Sequence, residues 1–420
     1  MKKYGTLLLL HVLCLSQITI KAMETVQNKV EVPQGPMDYE WFYNTDNLYA
    51  LANRYHQEQD WQKASDIYSY FSNLGSEYDR NKARLNLAAC LMALRKETEH
   101  WAAFDALLNI NESKTISVEK IAHVGEEKDK KSVLVRTDQV GIGDIFHFFS
   151  AANELKNRTG WYVIMSVPGF LKQTLASAAD EYGFELVGGK DIQPITNYET
   201  HLISLLGHLK LTPAQMIPEK VVFTAPERAM NVVLEQITPM LEQGNTVAAV
   251  FLGEDRQATF IGGKKLPYNT KNHGRHLNSA PFNELLKKHS KLTLMDCGTK
   301  TSRVIIDDEQ KNQYMIIPEE QQPFDTLIAF ARIMSAKKQI VGFGADNGPT
   351  NVFARSLDHE AQNRMALIIP NAQEHDMRME GPGEVYKQMI SNCWVYKCPT
   401  PWHQTECIGK AYQHMLEYTQ

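Results

Sequence analysis

The stretch that decides the fold is Lys131-Ser-Val-Leu-Val-Arg-Thr-Asp-Gln-Val-Gly-Ile-Gly-Asp-Ile-Phe-His-Phe-Phe-Ser150. Its start, 132–136, is a short β-branched and aliphatic run of the kind that forms a buried parallel strand. Gly141 and Gly143 then permit a tight turn, and Asp144 stands where a helix over 144–157 is predicted to begin. A strand, a glycine turn and a helix N-terminus together present backbone N–H groups that suit a phosphate or another anion.

Two residues at the start of this helix are candidates for chemistry. Asp144 can cap the helix or act as a general base, and the local sequence favours neither role. His147 lies one turn further on, where packing is favoured over contact with a bound acceptor. The turn is not the dinucleotide fingerprint, because the third glycine would fall at Phe146. A Walker loop is also excluded, because no Gly-Lys-Ser/Thr ending follows.

Chain length, net charge and the N-terminal sequence indicate the number of domains, the kind of partner and the location of the protein. With 420 residues the chain can hold two or three domains, and a net charge of -5 without a basic stripe predicts no nucleic-acid partner. Lys2 and Lys3 precede an apolar run from Leu7 to Leu15. This pattern predicts a signal peptide over 1–22 and export to the periplasm or the exterior, with an uncleaved membrane anchor as the alternative.

Residues 40–118 are predicted to form helical repeats. Two apolar faces recur with the spacing of tetratricopeptide repeats, and the first copy fills the motif positions with Leu51, Ala52, Tyr55, Ala64 and Tyr68. The second copy, after Gly75, is more degenerate. Two repeats are too few to stand alone, so a structural cap on the next domain is favoured over binding of a peptide partner.

After residue 131 the chain alternates strands with helices, which predicts an α/β fold. In the first half, strands are expected at 132–136, 161–166 and 184–187, with helices at 144–157 and 168–182 and helical or coil segments at 202–209 and 228–241. A second start at 246–252 is followed by strands at 292–295, 314–317, 339–343 and 366–369 and a helix at 324–334. We therefore predict two facing Rossmann-like domains, 131–243 and 244–420, which bind ligands between them at the carboxyl ends of their strands.

A second glycine turn lies in the second domain. The strand at 340–343 runs into Gly344-Ala-Asp-Asn-Gly-Pro-Thr-Asn351 and a helix over 352–357. Asp346 stands at the bend, and Thr350 and Asn351 are candidates to cap the helix or to donate hydrogen bonds. Between the two turns, the segment 274–285 contains Arg275 and follows a loop with Lys264, Lys265 and Lys271, and a basic residue there could reach a diphosphate held between the domains.

The cysteines give a weaker signal. Beyond the signal peptide the chain has an odd number of them, which argues against a complete disulfide framework. Cys393, Cys398 and Cys407 are close in sequence, with His403 among them. Their gaps match no common zinc spacing, so one disulfide or buried thiols are favoured over a metal site.

The order of these motifs resembles the heptosyltransferase-type glycosyltransferases of family nine, in particular the branch that carries tetratricopeptide repeats. The resemblance covers residues 130–415. Gly141-Ile-Gly-Asp144 matches Gly-x-Gly-Asp, whose aspartate is taken as the general base in that family. Arg275 stands seven residues before Phe282. In the family, a lysine or arginine that contacts the donor phosphate stands seven residues before an aromatic residue. The segment from Asp346 to Asn351 matches Asp-Thr-(Gly/Ala)-x-x-His, whose backbone and hydroxyl hold phosphates.

The resemblance implies a GT-B type fold and an inverting, metal-independent transfer without a cofactor. The sugar would pass from a nucleotide-diphospho donor to a hydroxyl of a glycan or protein acceptor, with Asp144 as the catalytic base. The expected substrate-binding residues are Gly141, Gly143, His147, Arg275, Asp346, Asn347, Gly348, Thr350 and Asn351.

The chain also departs from the family pattern. Asn347 replaces the threonine of the second motif and Asn351 replaces its histidine, while no acidic residue for the donor nucleoside is evident at 298–303. Nucleotide sugars are made in the cytosol, whereas this chain is expected to be exported. These observations support an alternative: a catalytically inactive protein of the same fold that acts as an exported binding or scaffold protein. A nucleotide-sugar epimerase or dehydrogenase is disfavoured, because the dinucleotide glycines are missing.

Overall fold

The computed structural model describes the chain in segments. They are 45–58, 60–74, single residues and short runs between 80 and 99, 131–138, 140–188, 191, 194–209, 211, 222–253, 259–261, 264–266, 277–298, 302–318, 324–345, 347–369, 385–387, 391–398 and 403–419. The predicted signal peptide, Arg275 and Asp346 lie outside these segments. The chain divides into a short unit, Met1–Ala50, and a large unit, Leu51–Gln420.

The described secondary structure alternates after residue 131. The helices are α1 (Thr45–Gln57), α2 (Trp61–Phe71), α3 (Ile142–Thr159), α4 (Lys172–Tyr182), α5 (Ser204–His208), α6 (Glu227–Glu242), α7 (Ala280–Lys288), α8 (Asp325–Ala336), α9 (Gly348–Ser356) and α10 (Gln404–Leu416). The strands are β1 (Ser132–Arg136), β2 (Tyr162–Val167), β3 (Glu185–Gly188), β4 (Tyr198–His201), β5 (Thr246–Phe251), β6 (Thr259–Ile261), β7 (Lys264–Leu266), β8 (Leu292–Asp296), β9 (Tyr314–Ile316), β10 (Ile340–Gly344), β11 (Met365–Ile369), β12 (Val385–Lys387) and β13 (Trp394–Lys397). Among these helices, none combines the length and the apolar composition that crossing a bilayer requires.

The two expected helices of the first repeat are confirmed. Asp60 caps α2 by accepting a hydrogen bond from the Lys63 N–H. The Tyr68 hydroxyl donates to the Asn53 side chain across the helix pair at 2.7 Å. Ala64 is fully buried, and a side chain this small lets the helices pack closely. The assignment to tetratricopeptide repeats stays a prediction, because most of the second copy lies outside the described residues.

The first sheet has the strand order β3-β2-β1-β4, with every pairing parallel. The three strands predicted there are confirmed to within one residue. The helix predicted from Asp144 starts earlier, because Gly141 is the N-cap of α3. It ends at Gly160, which takes the left-handed conformation (φ 68°) that glycine tolerates. Strand β4 was not predicted, because its sequence Tyr-Glu-Thr-His lacks an apolar run.

The second sheet has the order β12-β13-β11-β10-β5-β8-β9 and is parallel except for β12. Numbering its parallel strands along the chain gives 3-2-1-4-5-6, the order of the doubly wound nucleotide-binding sheet. The order reverses between β5 and β10, where such sheets bind their ligands. The expected α/β class with two parallel sheets is therefore confirmed.

The two sheets share a packed layer of helices. Helix α3 packs against α9, and α6 packs against both α8 and β5. One buried apolar cluster contains Val133 of the first sheet and Ile340 of the second. The ring of Phe146 lies 4.7 Å from that of Phe223 and 6.4 Å from that of Phe324, measured between centroids. On this side, therefore, the two sheets are joined by a continuous core.

Helices α3 and α9 run parallel, with their first turns in contact. A Cβ at Gly143 would lie 2.7 Å from the Cβ of Asn351. A Cβ at Gly348 would lie 3.8 Å from the Cβ of Ile142. One turn further along α3, His147 lies beside Asn351 and within electrostatic reach of Arg355. Because the contacts advance together along both helices, the two N-termini lie side by side.

We expect Gly143→Ala to destabilise the protein. Alanine is favoured over glycine in helices by up to about 1 kcal/mol. Here the added methyl group would meet the Asn351 Cβ, and forcing extra volume into a packed contact costs roughly 1–3 kcal/mol. The free energy of unfolding, measured with urea, is therefore expected to fall. Gly409→Ala in α10 is the matched control and is expected to raise it, because no atom lies within 4 Å of the new Cβ. Changes of the same sign in the two variants would contradict the close approach.

Candidate functional site

The candidate site lies where β1 and β10 lead into the helices α3 and α9. Asp144 is the third residue of α3, and its Oδ2 lies 3.0 Å from the position of a Cβ on Gly141. The carboxylate thus turns back over the N-cap residue, as an acid does at this helix position in a capping box. Asp144 is partly exposed while its Oδ1 is buried. It remains close enough to the surface to meet a ligand.

The second glycine turn is closed by its own cap. The Asn347 side chain accepts hydrogen bonds from the Thr350 N–H at 2.9 Å and from the Thr350 hydroxyl at 3.0 Å. Its own amide group donates to the Ala345 carbonyl at 3.1 Å. Thr350 is fully buried. Helix α9 therefore begins at Gly348, four residues before the predicted start at 352, with Asn347 rather than Thr350 or Asn351 as its cap.

Backbone N–H groups of both helices converge at this point. In α3 the N–H groups of Asp144 and Ile145 donate to the Gly141 carbonyl. The N–H groups of Ile142 and Gly143 come too early in the helix to have an acceptor within it. In α9 Pro349 has no N–H, and the Thr350 N–H donates to the Asn347 side chain. The Gly348 N–H is therefore the donor in the first turn of α9 that the cap does not use. The Gly143 nitrogen lies 3.9 Å from the Cβ position of Gly348.

This convergence has an electrostatic consequence. Parallel helices place the positive ends of their dipoles side by side, where they repel each other and attract negative charge. Asp144 supplies the acidic group in the first turn of α3, and the first turn of α9 has none. The arrangement can hold an anion or stabilise developing negative charge.

The next turn of the interface is buried. His147, Asn351 and Arg355 are 1%, 4% and 2% exposed. Burial, and after it the charge of Arg355, lowers the pKa of His147 to about 3, so its ring is neutral near pH 7. Neither ring nitrogen has a well-directed partner among the described residues, although the Asn351 amide lies beside the ring. His147 thus has the packed position that its sequence favoured, and Asn351 lies with it between the helices.

The sequence did not single out an ionic network at the end of β1. Arg136, at the end of β1, binds both carboxylate oxygens of Asp138 at 2.8 and 2.5 Å and Glu199 at 2.9 Å. His201 donates to the Asp138 carbonyl at 2.7 Å. Burial would raise the pKa of Asp138, but hydrogen bonds and charge from Arg136 lower it overall. The network fixes the start of the loop that leads to Gly141, and polar residues directly after a buried strand were its signal.

A second acid missed by the sequence analysis is Asp296, at the end of β8. It is fully buried, and its carboxylate accepts hydrogen bonds from the N–H groups of Gly298 (2.8 Å) and Val304 (2.6 Å) and from the Tyr314 hydroxyl (2.7 Å). Acids near this place in Rossmann folds contact the ribose of a nucleotide. Here the carboxylate holds the following loop instead.

The remaining predicted residues cannot be placed. Arg275 and Asp346 lie outside the described residues, so their contribution to phosphate binding stays a prediction. Within the part of the chain that is described, no group of three or more His, Cys, Asp or Glu side chains is arranged to hold a metal ion.

Comparison with known proteins gives a distant likeness among solved structures. No family model matches the chain, and no curated protein matches it. Among solved structures, the chain is similar to a glycosyl transferase of family 9 from Veillonella parvula DSM 2008, at 10% identity and a TM-score of 0.44. The match covers 70% of this chain and 99% of that chain. At this level of similarity, neither the fold nor the activity is inferred from it.

The buried imidazole predicts a pH dependence of stability. Because the pKa of His147 is lowered to about 3 in the folded state, the unfolded state binds a proton first as the pH falls. The contribution of the neutral ring to the free energy of unfolding is complete above about pH 6.5. Between about pH 6.5 and 3 it falls by about 1.4 kcal/mol per pH unit. We expect His147→Gln to remove this part of the slope. Urea unfolding of both proteins across that range measures it, and parallel curves would show that His147 is accessible to protons when folded.

Proposed function

We propose that this protein is an inverting glycosyltransferase of the GT-B type. It moves a sugar from a nucleotide-diphospho donor to a hydroxyl of a glycan or protein acceptor, and Asp144 is the general base. The observation that carries the proposal is the contact of Gly143 with Asn351, which brings the glycine turns of both parallel sheets to one place beside Asp144. The resemblance of Gly141–Asp144 and Asp346–Asn351 to the family's two motifs supports the same assignment.

The proposed chemistry is a single displacement at the anomeric carbon. The acceptor oxygen attacks this carbon while Asp144 takes the hydroxyl proton, and the bond from the carbon to the diphosphate oxygen breaks. Because nucleophile and leaving group occupy opposite faces of the sugar, the anomeric configuration inverts. The base then belongs to the first domain, and the Gly348 N–H belongs to the second.

The leaving diphosphate gains negative charge, which the positive ends of two helix dipoles stabilise. The N–H groups of Ile142 and Gly348, which are both partly exposed, are the described donors for this purpose. Arg275 is proposed to add a positive charge from the inter-domain segment. The scheme requires no metal ion, in keeping with the family that the motifs resemble.

One observation favours the second candidate, an inactive binding or scaffold protein with the same fold. The Thr350 hydroxyl and N–H both bond to the Asn347 side chain, and Pro349 has no N–H. Helix α9 therefore offers a phosphate fewer donors than an uncapped helix would. Such a protein would bind its partner without turnover. For the helices α1 and α2 we propose a structural role, and peptide binding would belong to this second candidate.

The test separates donor binding from turnover. Thermal shift against a panel of UDP-, GDP- and ADP-sugars identifies the donor, and turnover is then followed as release of the nucleotide. We expect Asp144→Asn to keep the donor-induced shift and to lower the rate by about 10²–10⁴-fold, since it loses the base. Glu154→Gln, on the exposed side of α3, is the matched control and is expected to retain the wild-type rate.

Two outcomes would decide against the transferase. If no nucleotide sugar shifts the melting temperature of the wild type, the scaffold function is preferred. If Asp144→Asn turns over at the wild-type rate, Asp144 serves only as a helix cap. Retention of the anomeric configuration in the product, read by NMR, would contradict the single displacement.

A further inference from the structure

The cysteines near the C-terminus fall on opposite faces of the second sheet. Cys393 belongs to the apolar cluster that also contains Val352 and Phe353 of α9. Cys398 belongs to the other cluster, against which Cys407 packs. Strand β13, between Cys393 and Cys398, carries the chain from one cluster to the other. Cys393 is thus separated from the other two thiols, which were grouped with it by sequence alone.

Cys398 and Cys407, in contrast, are held beside each other. Cys398 follows β13 directly, and its N–H donates to the Ile369 carbonyl at 2.9 Å. Cys407 lies in the first turns of α10, which packs against β13, and its Sγ is 3.9 Å from the Lys397 carbonyl oxygen. The two thiol groups are within hydrogen-bonding reach of each other. Both thiols are reduced in this structure.

We propose that Cys398 and Cys407 form a disulfide bond when the protein meets a disulfide oxidant. The bond would join the N-terminal part of α10 to the end of β13. It is a modification site independent of glycosyl transfer, so its failure leaves the proposed function untouched. A chain that is exported, as the N-terminal sequence predicts, enters the kind of compartment where such bonds form and persist.

The order of the reaction follows from exposure. Cys407 is partly exposed and Cys398 is fully buried. The Cys407 thiol loses its proton and attacks the oxidant disulfide, forming a mixed disulfide and releasing one thiolate. The deprotonated Cys398 sulfur then attacks the Cys407 sulfur and releases the second thiolate. Overall, two protein thiols are oxidised and one oxidant disulfide is reduced to two thiols.

The surroundings of Cys398 also affect the rate at which the disulfide bond forms. In the reduced pair, the hydrogen bond with Cys407 and burial both raise the pKa of the Cys398 thiol, and burial continues to raise it once Cys407 is part of the mixed disulfide. The second step is therefore slow near pH 7 and speeds up with rising pH, because the thiolate is the attacking species. Once formed, the short cross-link is expected to raise the Tm by about 5 °C, through lost freedom of the unfolded chain.

Peptide mapping tests the proposal. Folded protein is incubated with oxidised glutathione, quenched in acid, unfolded and alkylated, then digested with trypsin. Cleavage after Lys397 and Lys410 puts both cysteines in one peptide, 398–410. We expect that peptide to carry no alkyl group and to weigh less than its reduced form by two hydrogen atoms. Cys90, Cys297 and Cys393 are buried, which shields them from the oxidant in the folded protein. We therefore expect all three to be alkylated in full after unfolding.

Variants separate the bond from general oxidation. Cys398→Ser is expected to leave glutathione attached to Cys407, because the resolving thiol is gone. Cys393→Ser is the matched control and is expected to form the bond as the wild type does. A wild-type peptide with two alkyl groups, or one with glutathione retained on Cys407 at alkaline pH, would overturn the proposal.

Discussion

The contact between Gly143 and Asn351 is the constraint on which the rest of this structure depends. Two parallel helices can bring their first turns together only where one partner lacks a side chain, and Gly143 meets that condition. The contact holds two helix dipoles side by side, although their positive ends repel each other. It also aligns the carboxyl ends of β1 and β10, so that the turns of two separate sheets form one site.

The same contact explains why the site has both polar and closed parts. In the first turns, Ile142, Asp144 and Gly348 remain partly exposed, where charge can be bound. One turn below, His147 and Arg355 are removed from water, and burial lowers the pKa of each. A neutral imidazole adds no second positive charge beside the buried guanidinium, so the interface avoids repulsion between like charges. Binding and packing are thus divided between successive turns of α3.

Local sequence signals predicted what depends on local chemistry. The apolar runs of β1, β5 and β10 and both glycine turns could be read directly, since buried parallel strands are continuously hydrophobic. Strand β4 was missed, because alternating polar residues at a sheet edge resemble a loop. The cap of α9 was assigned to Thr350 or Asn351 instead of Asn347, because every polar residue at the turn is a plausible cap. The meeting of Gly143 with Asn351 had no local signal, since it joins helices that follow strands of two different sheets.

A double-mutant cycle at Gly143 and Asn351 tests the central claim most directly. Asn351→Gly removes the Cβ that a methyl group on Gly143 would strike, and it should relieve the strain that Gly143→Ala introduces. We expect the double variant to be more stable than the sum of the single changes allows, with a coupling free energy of about 1 kcal/mol or more in urea unfolding. Additivity within about 0.5 kcal/mol would show that the two turns do not meet.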